Sequence, residues 1–463
     1  MRTVLALVAS AAVAVAIGFE TTQLNLFSRT DRSAMLALLA AAWLLFALAF
    51  LALRKVPARH VTSVVVAGAV LIGGAAMLAP PNTSTDSARY AWDGIVATAG
   101  ISPYDHVPAS DALEDLRPDW LFPADCDATR LNETTTVPSG EPLCTAINRP
   151  HVPTIYPPLA ELYFTGVRAL VDPSVEYWPF QLGGLVISLG VTWMLLVALR
   201  RRGMDPRWAA LWAWCPLVAT EAVTNSHVDV LGVALALAAS LLVASGRRVW
   251  GGIALGAAIA TKLIPVILAP PLLKKRPLTL ITVSVATFAL LYVPYVVMSG
   301  FGVLGYLPGY LSEEGYDDGS RFALLSIVLP GSAALIVAAA LIAVATGLAW
   351  WKSDASAPWL AQLALVGSIL IIVSPRYPWY ALLVIPFIVL SQRWEWFAVP
   401  LALSWRMTMP TLAVTRIGLA VAAVVVIGAW LYRRRRARAG ASGTRPIAST
   451  ARAEPDGPPA VRE

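Results

Sequence analysis

The sequence predicts an all-α polytopic membrane protein with one large polar loop and a disordered tail. Three observations carry this expectation. Of the 463 residues, 57% are hydrophobic and only 14% are charged, whereas a soluble domain has roughly 45–50% and about 25%. Apolar runs recur at close to the roughly 20 residues a helix needs to cross a bilayer. Basic residues gather in clusters between those runs. The composition excludes a water-soluble enzyme and a disordered chain. It also excludes an outer-membrane barrel, whose strands would alternate apolar and polar residues.

Clear spans are expected at 34–53, 61–80, 177–199, 207–224, 228–245, 278–298, 323–349, 358–374 and 411–432, with shorter ones at 3–19, 379–391 and 396–410. Run 3–19 follows Arg2 as a signal peptide would, but no small-residue cleavage site follows it, so it reads as an anchor. Segment 249–273 breaks at Thr261-Lys262 and carries Pro265, Pro270 and Pro271. A helical hairpin that returns to its own side fits that pattern. The clusters at 54–55, 200–202, 247–248, 274–276 and 433–436 orient the chain with both termini inside. The expected bundle then has about 12 full spans plus the hairpin, which this threading keeps near the inner side. Residues 1–60 are N-terminal spans, 61–432 the main membrane module, and 433–463 a basic cytoplasmic tail.

Charge separates along this path. The chain is +7 overall, the tail +5, and residues 81–156, with eleven acids and four Arg, −7. The surplus therefore marks the cytoplasmic side and anionic headgroups, not nucleic acid. The opposite face receives loop 81–176, the corner 225–229, loop 300–320 and the turn 374–378.

Within the long loop, residues 105–127 read as a solvated acidic stretch. Residues 85–94 differ. In a helix, Asp86, Tyr90 and Asp93 share one face, and Arg89 is placed to pair with Asp93 or offset Asp86. Two carboxylates held beside an Arg at the membrane surface suggest a base with its electrostatic partner. A plain helix N-cap role for Asp86 stands beside that reading. The prolines around Tyr156 force a rigid extended turn, and 159–171 reads as an interfacial helix carrying Glu161. Cys126 and Cys144 form a disulfide if the loop meets an oxidising compartment, and are reduced loop thiols otherwise. Cys215 lies in an apolar run as a small core residue. The pattern Asn-x-Ser/Thr occurs at Asn82 and Asn132, too short to carry weight.

The order Asp-x-x-Arg-Tyr-x-Trp-Asp-Gly (86–94), Gly-x-x-Pro-Tyr (100–104) and Tyr-Pro-Pro (156–158) resembles polyprenol-phosphate-sugar-dependent glycosyltransferases of the GT-C class. It is most similar to actinobacterial polyprenyl-phosphomannose-dependent mannosyltransferases. Asn-Ser-His-Val-Asp (225–229), Ala-Thr-Lys-Leu-Ile-Pro (260–265) and Ser-Pro-Arg-Tyr-Pro-Trp-Tyr (374–380) extend the likeness. The resemblance implies a GT-C-like bundle and a catalytic base at Asp86, with Asp93 second. It implies transfer of a hexose, mannose by likeness, from a polyprenyl-phosphate donor to a cell-envelope glycolipid or glycan on the outer face of the plasma membrane. Anomeric configuration would invert. The class usually opens this loop after its first span; here 3–19 and 34–53 precede the module.

Around that chemistry, Arg376 is suited to the donor phosphate, since Arg holds phosphate oxygens bidentately; snorkelling to headgroups is its plainer reading. For Lys262, phosphate contact and snorkelling weigh equally, and Arg89 is a third candidate cation. His227 and Asp229 fit sugar hydroxyls, assistance to Asp86, or a satisfied structural role. Tyr90, Tyr156, Tyr377 and Tyr380 are candidate sugar contacts. The histidines show no metal-ligand spacing, so no metal or cofactor is expected. Loop 300–320, with Glu313, Glu314, Asp317 and Asp318, is either a lid over the acceptor or a solvated connector. A transporter or lipid-linked-sugar flippase would share broken helices and buried charge. It would not need the acidic loop, and the halves show no clear repeat.

Overall fold

The computed structural model describes residues 1–28, 30–126, 133–316, 319 and 321–442. Asn132 of the second Asn-x-Ser/Thr pattern, the end of the acidic stretch at Asp127, Asp317, Asp318 and the tail beyond 442 lie outside the described residues. The protein is an all-α polytopic membrane protein.

Helices α1 (Arg2–Gln23), α2 (Arg32–Leu53) and α3 (Val61–Ala75) lead into the polar loop. The loop carries α4 (Asp86–Thr98), a hairpin of β1 (Glu133–Thr136) and β2 (Pro142–Thr145), and α5 (Pro158–Arg168). Helix α6 (Trp178–Arg201) returns through the bundle. A short α7 (Ala210–Ala213) and a π-helical turn, Val218–Thr224, climb back to the loop end, and α8 (Asp229–Ala244) descends after a bend of 115°. Then follow α9 (Arg248–Thr261), α10 (Pro277–Ser299), α11 (Leu307–Glu313), α12 (Gly331–Lys352) and α13 (Trp359–Val373). The chain ends with α14 (Ile385–Ser391), α15 (Ala398–Thr408) and α16 (Leu412–Ser442).

Seven helices among the described residues are long and apolar enough to cross a membrane, or eight if the bent pair before and in α8 counts as one. The other expected spans, 207–224, 228–245, 358–374, 379–391 and 396–410, are short or broken. Pro216 and Pro386 interrupt backbone hydrogen bonding within two of these passes, 207–224 and 379–391. Protein covers the exposed backbone there, which is what a bilayer requires. The residues of 378–390 are all buried, so this broken segment is the core of the bundle. Helices α10 and α12 instead show lipid their outer faces, with Val285, Leu290, Val297 and Ile336 largely exposed.

The hairpin at 249–273 exists and breaks at Lys262, which is extended. Two 3-10 stretches, Ile264–Leu268 and Pro270–Lys274, carry the chain back. Arg248 reaches the Leu272 carbonyl at 3.2 Å, closing the hairpin at its base. Its tip lies at the end of α9 opposite the Arg247-Arg248 cluster, however. Lys262 meets Asp229, the first residue of α8, at the loop end.

Close helix contacts set the frame. A Cβ on Gly184 of α6 would lie 1.9 Å from the Ala222 carbonyl oxygen, so only glycine lets the π-turn seat there. On the loop side, Gly94 of α4 leaves room for the Phe164 backbone of α5. Tyr90, Trp92, Phe122, Phe164 and Phe180 fill a separate small core beneath the loop. A disulfide joins Cys126 to Cys144, Cα atoms 5.4 Å apart, and ties β2 to the chain entering the hairpin. The acids at 105, 111, 114, 115, 119 and 125 are exposed, as a solvated stretch should be, apart from these anchors.

Candidate active site

Polar ties bring three distant segments together at the loop end. Gln181 donates to the Ala79 and Thr224 carbonyls at 2.9 and 3.0 Å. The Asn225 side chain accepts from the Thr83 amide at 3.1 Å, and Asn82 donates to the carbonyls of Glu20 in α1 and of Leu24 just after it. The start of the loop is therefore pinned to the corner 225–229. Arg149, Ser226 and Ser374 take left-handed backbone, with φ of 54°, 52° and 51°. Such conformations cost of order 1 kcal/mol or more in non-glycine residues and gather at functional sites.

Asp86 is the first residue of α4; Thr85 occupies the cap position, with no side-chain capping bond. Its carboxylate accepts from the Asn148 amide at 3.0 Å, and the same amide reaches Thr85 Oγ1. His227 Nδ1 lies 3.6 Å from the other Asp86 oxygen, and His227 Nε2 lies 3.3 Å from Glu221. The His227 ring is fully buried and stacks on Trp379 at 3.8 Å, which stacks on Tyr377 at 4.3 Å. Asp86 alone of this acid–imidazole line reaches solvent, its side chain 19% exposed. Burial raises its carboxyl above the usual carboxylate range; Lys262 and the Asn148 amide offset part of the rise, and Asp229 adds to it.

Lys262 pairs with Asp229 at 2.6 Å and sits 5.0 Å above the Tyr380 ring. Tyr380 in turn hydrogen-bonds the Tyr310 hydroxyl of α11 at 2.8 Å. Arg149 bonds Glu313 at 2.7 Å and lies over Tyr310. Tyr306 donates to Glu313 at 2.6 Å. Part of loop 300–320 thus covers this face.

Arg376 is exposed and has no ion-pair partner among the described residues. Its charge reaches Glu313, Arg321 and Arg406. Arg406 donates to the Ser374 and Pro375 carbonyls, the latter at 3.1 Å, and so holds the turn that presents Arg376.

Other candidates turn elsewhere. Arg89 grips both Asp93 oxygens at 2.9 and 3.0 Å and the Val152 carbonyl at 2.9 Å. Asp93 is 2% exposed and faces Glu161 and Thr154, not Asp86. Burial, with the Asp93 charge beside it, pushes the Glu161 carboxyl well above the usual carboxylate range, and Thr154 donates its hydroxyl to that carboxyl at 2.7 Å. Tyr90 and Tyr156 are buried, edge to face at 5.1 Å, as packing between α4 and the proline turn.

Sequence reasoning missed Glu221, Asn148, Arg149, Tyr310 and Arg406. Glu221 had a readable signal, a carboxylate inside an apolar run, which is costly unless it has a use. The others had none, since their roles depend on chain segments between 31 and 164 residues away.

Residues 154–375 match the model of glycosyltransferase family 87. The matched stretch contains His227, Asp229 and Lys262 and begins after Asp86. The chain is also 41% identical over 107 residues to GPI mannosyltransferase 1 of Gibberella zeae, covering 21% of this chain and 24% of the relative. The chain therefore spans about a quarter of the length of that curated relative. No solved structure matches. Through its central region the chain is thus similar to GT-C-type glycosyltransferases of family 87.

Proposed function

We propose that the protein is a membrane glycosyltransferase that moves a hexose, mannose by its likenesses, from a polyprenyl-phosphate donor to a cell-envelope glycolipid or glycan. The reaction lies on the extracytoplasmic face of the plasma membrane. The observation that carries the reading is Asp86: a partly exposed carboxylate, fixed by Asn148 and backed by His227, where three loop segments meet.

In this scheme Asp86 takes the proton of an acceptor hydroxyl. The freed oxygen attacks the anomeric carbon as the sugar–phosphate C–O bond breaks and lipid phosphate leaves. A β-linked donor then gives an α-linked product. Charge develops on the departing phosphate, so a preorganised cation there lowers the barrier. Arg376 suits that role, being exposed and unpaired among the described residues; Lys262 is held by Asp229 and supports the site from its side. Tyr377, partly exposed and stacked on Trp379 and through it on the buried His227, offers an aromatic face to the sugar. Asp93 and Arg89 build the loop instead of reacting.

The test is an Asp86→Asn variant assayed with labelled polyprenyl-phosphate sugars. Loss of a general base costs about 10²–10⁴-fold in rate. Ionising a carboxyl whose folded pKa is raised costs stability, and that cost sets in as pH rises through the unfolded value toward the folded one. The variant should therefore match or exceed the native thermal stability at neutral pH while losing transfer. Full transfer activity in Asp86→Asn would remove Asp86 from this role.

A further inference from the structure

A cavity of about 1270 Å³ lies at the other end of the bundle. It exceeds the roughly 300–1,000 Å³ typical of small-molecule pockets. Helix α2 forms one wall and α15 with α16 the other, and Phe46, Phe50, Trp208, Phe397, Leu401 and Val421 line its body. Leu44, Leu51 and Val421, each at least half exposed, mark where it opens sideways. Its polar lining gathers at one end, at Arg54, Asp205, Arg207, Gln392 and Glu395. That end carries the basic clusters at 54–55, 200–202 and 433–436.

The charges at this mouth do not cancel. Asp205 is neutralised by Arg207 at 3.0 Å, and Glu395 by Arg433. Arg207 is further committed to the Leu53 and Val56 carbonyls. Arg54 is exposed and has no ion pair among the described residues. The cavity thus has an apolar body open to the bilayer and one uncommitted cation at the headgroup level. It is also separate from the site at Asp86. Helix α3, about 22 Å long at 1.5 Å per residue, runs between the Val56 end and the Ala76 end.

We propose that this groove is a specific site for an anionic glycerophospholipid of the leaflet at the basic end, its acyl chains along α2, α15 and α16 and its phosphate on Arg54. A lipid held there would brace α2 against α15 and α16, which otherwise face one another across the cavity.

Native mass spectrometry of the full-length protein, titrated with phosphatidylglycerol or phosphatidylcholine of identical chains, tests the site. Phosphatidylglycerol should bind one to one and at least tenfold more tightly. Arg54→Ala should bring the two lipids within about twofold of each other. Ala47→Trp, which fills the groove from α2, should lose both. Lys275→Ala, in another basic cluster, should change neither. Glycerol phosphate, which has the headgroup without the chains, should not bind. Equal binding of the two lipids by the native protein, or no effect of Arg54→Ala, would overturn the proposal. So would a polyprenyl phosphate whose binding Ala47→Trp abolishes, since the groove would then belong to the donor. Transfer activity in detergent should be unchanged in Arg54→Ala, so failure here leaves the reading of Asp86 separately testable.

Discussion

Asp86 is placed to titrate within a network of three charges. Burial lifts its pKa, Lys262 lowers it, and Asp229 lifts it again. A base must be deprotonated to act, so transfer should fall as pH drops through the Asp86 pKa. Lys262→Gln removes the positive charge and leaves Asp229 without its partner; both changes raise the Asp86 pKa. The acid limb of the rate profile should therefore move to higher pH, with the plateau at high pH less affected. A pH–rate profile of the two proteins checks this, and an unmoved or lowered acid limb would show that Lys262 does not act on Asp86. Arg376 should behave differently. Its replacement by Gln should lower transfer across the whole pH range, by about 10²-fold if it stabilises phosphate in the transition state, with no shift of the acid limb. Arg376→Lys should recover little, because a point charge cannot hold two oxygens at once.

Among the elements, α6 and the π-turn Val218–Thr224 are the pair whose contact positions the corner 225–229. Gly184→Ala would place a methyl 1.9 Å from the Ala222 oxygen. Overpacking of that kind costs about 1–3 kcal/mol, and the displaced turn carries Glu221, whose carbonyl holds the His227 amide. Lower thermal stability and lower transfer are both expected. Gly190 on the same helix has nothing within 4 Å of its missing Cβ, so Gly190→Ala should be neutral or stabilising by up to about 1 kcal/mol. Equal behaviour of the two variants in a melting assay would show that the close approach is not a constraint. This contact also marks the limit of what the sequence could reveal. The break at Lys262 was legible because three prolines follow it, and the Arg89–Asp93 pair was legible from helical spacing. The break between the π-turn and α8 was legible as the corner 225–229, but the shortness of the helices beside it was not, because 207–224 and 228–245 are each apolar enough to read as spans. The depth of the Lys262 hairpin was equally hidden. Basic clusters tell which side a segment starts from, and nothing about how far its tip reaches. Asp86 stood out because a carboxylate followed an apolar run directly. Its partners Asn148, His227 and Glu221 are brought to it by packing of α4, α6 and the π-turn, which leaves no local pattern.

For the molecule as a whole, the path of the chain and the distribution of charge make one joint prediction about sidedness. The basic clusters all fall at the end of the bundle remote from Asp86, while the −7 loop, the corner 225–229 and the turn 374–378 share the other. By the positive-inside bias, the loop end should face out. The native thiols offer little background, since Cys215 is buried and Cys126 is bonded to Cys144. Ser174, exposed beside α5, and Lys55, exposed after α2, then serve as reporters at opposite ends. In intact cells, Ser174→Cys should react with a membrane-impermeant maleimide and Lys55→Cys should react only after the membrane is opened. The reverse pattern would put Asp86 on the cytoplasmic side, where a base could not meet an acceptor in the outer leaflet. Labelling of both sites from outside would break the bundle path itself, because α3 and the helices around it would no longer separate the two ends. The expected pattern would place the disulfide in the oxidising compartment that its persistence requires. It would also leave the apolar groove at Arg54 facing the leaflet whose anionic lipids it is shaped to hold.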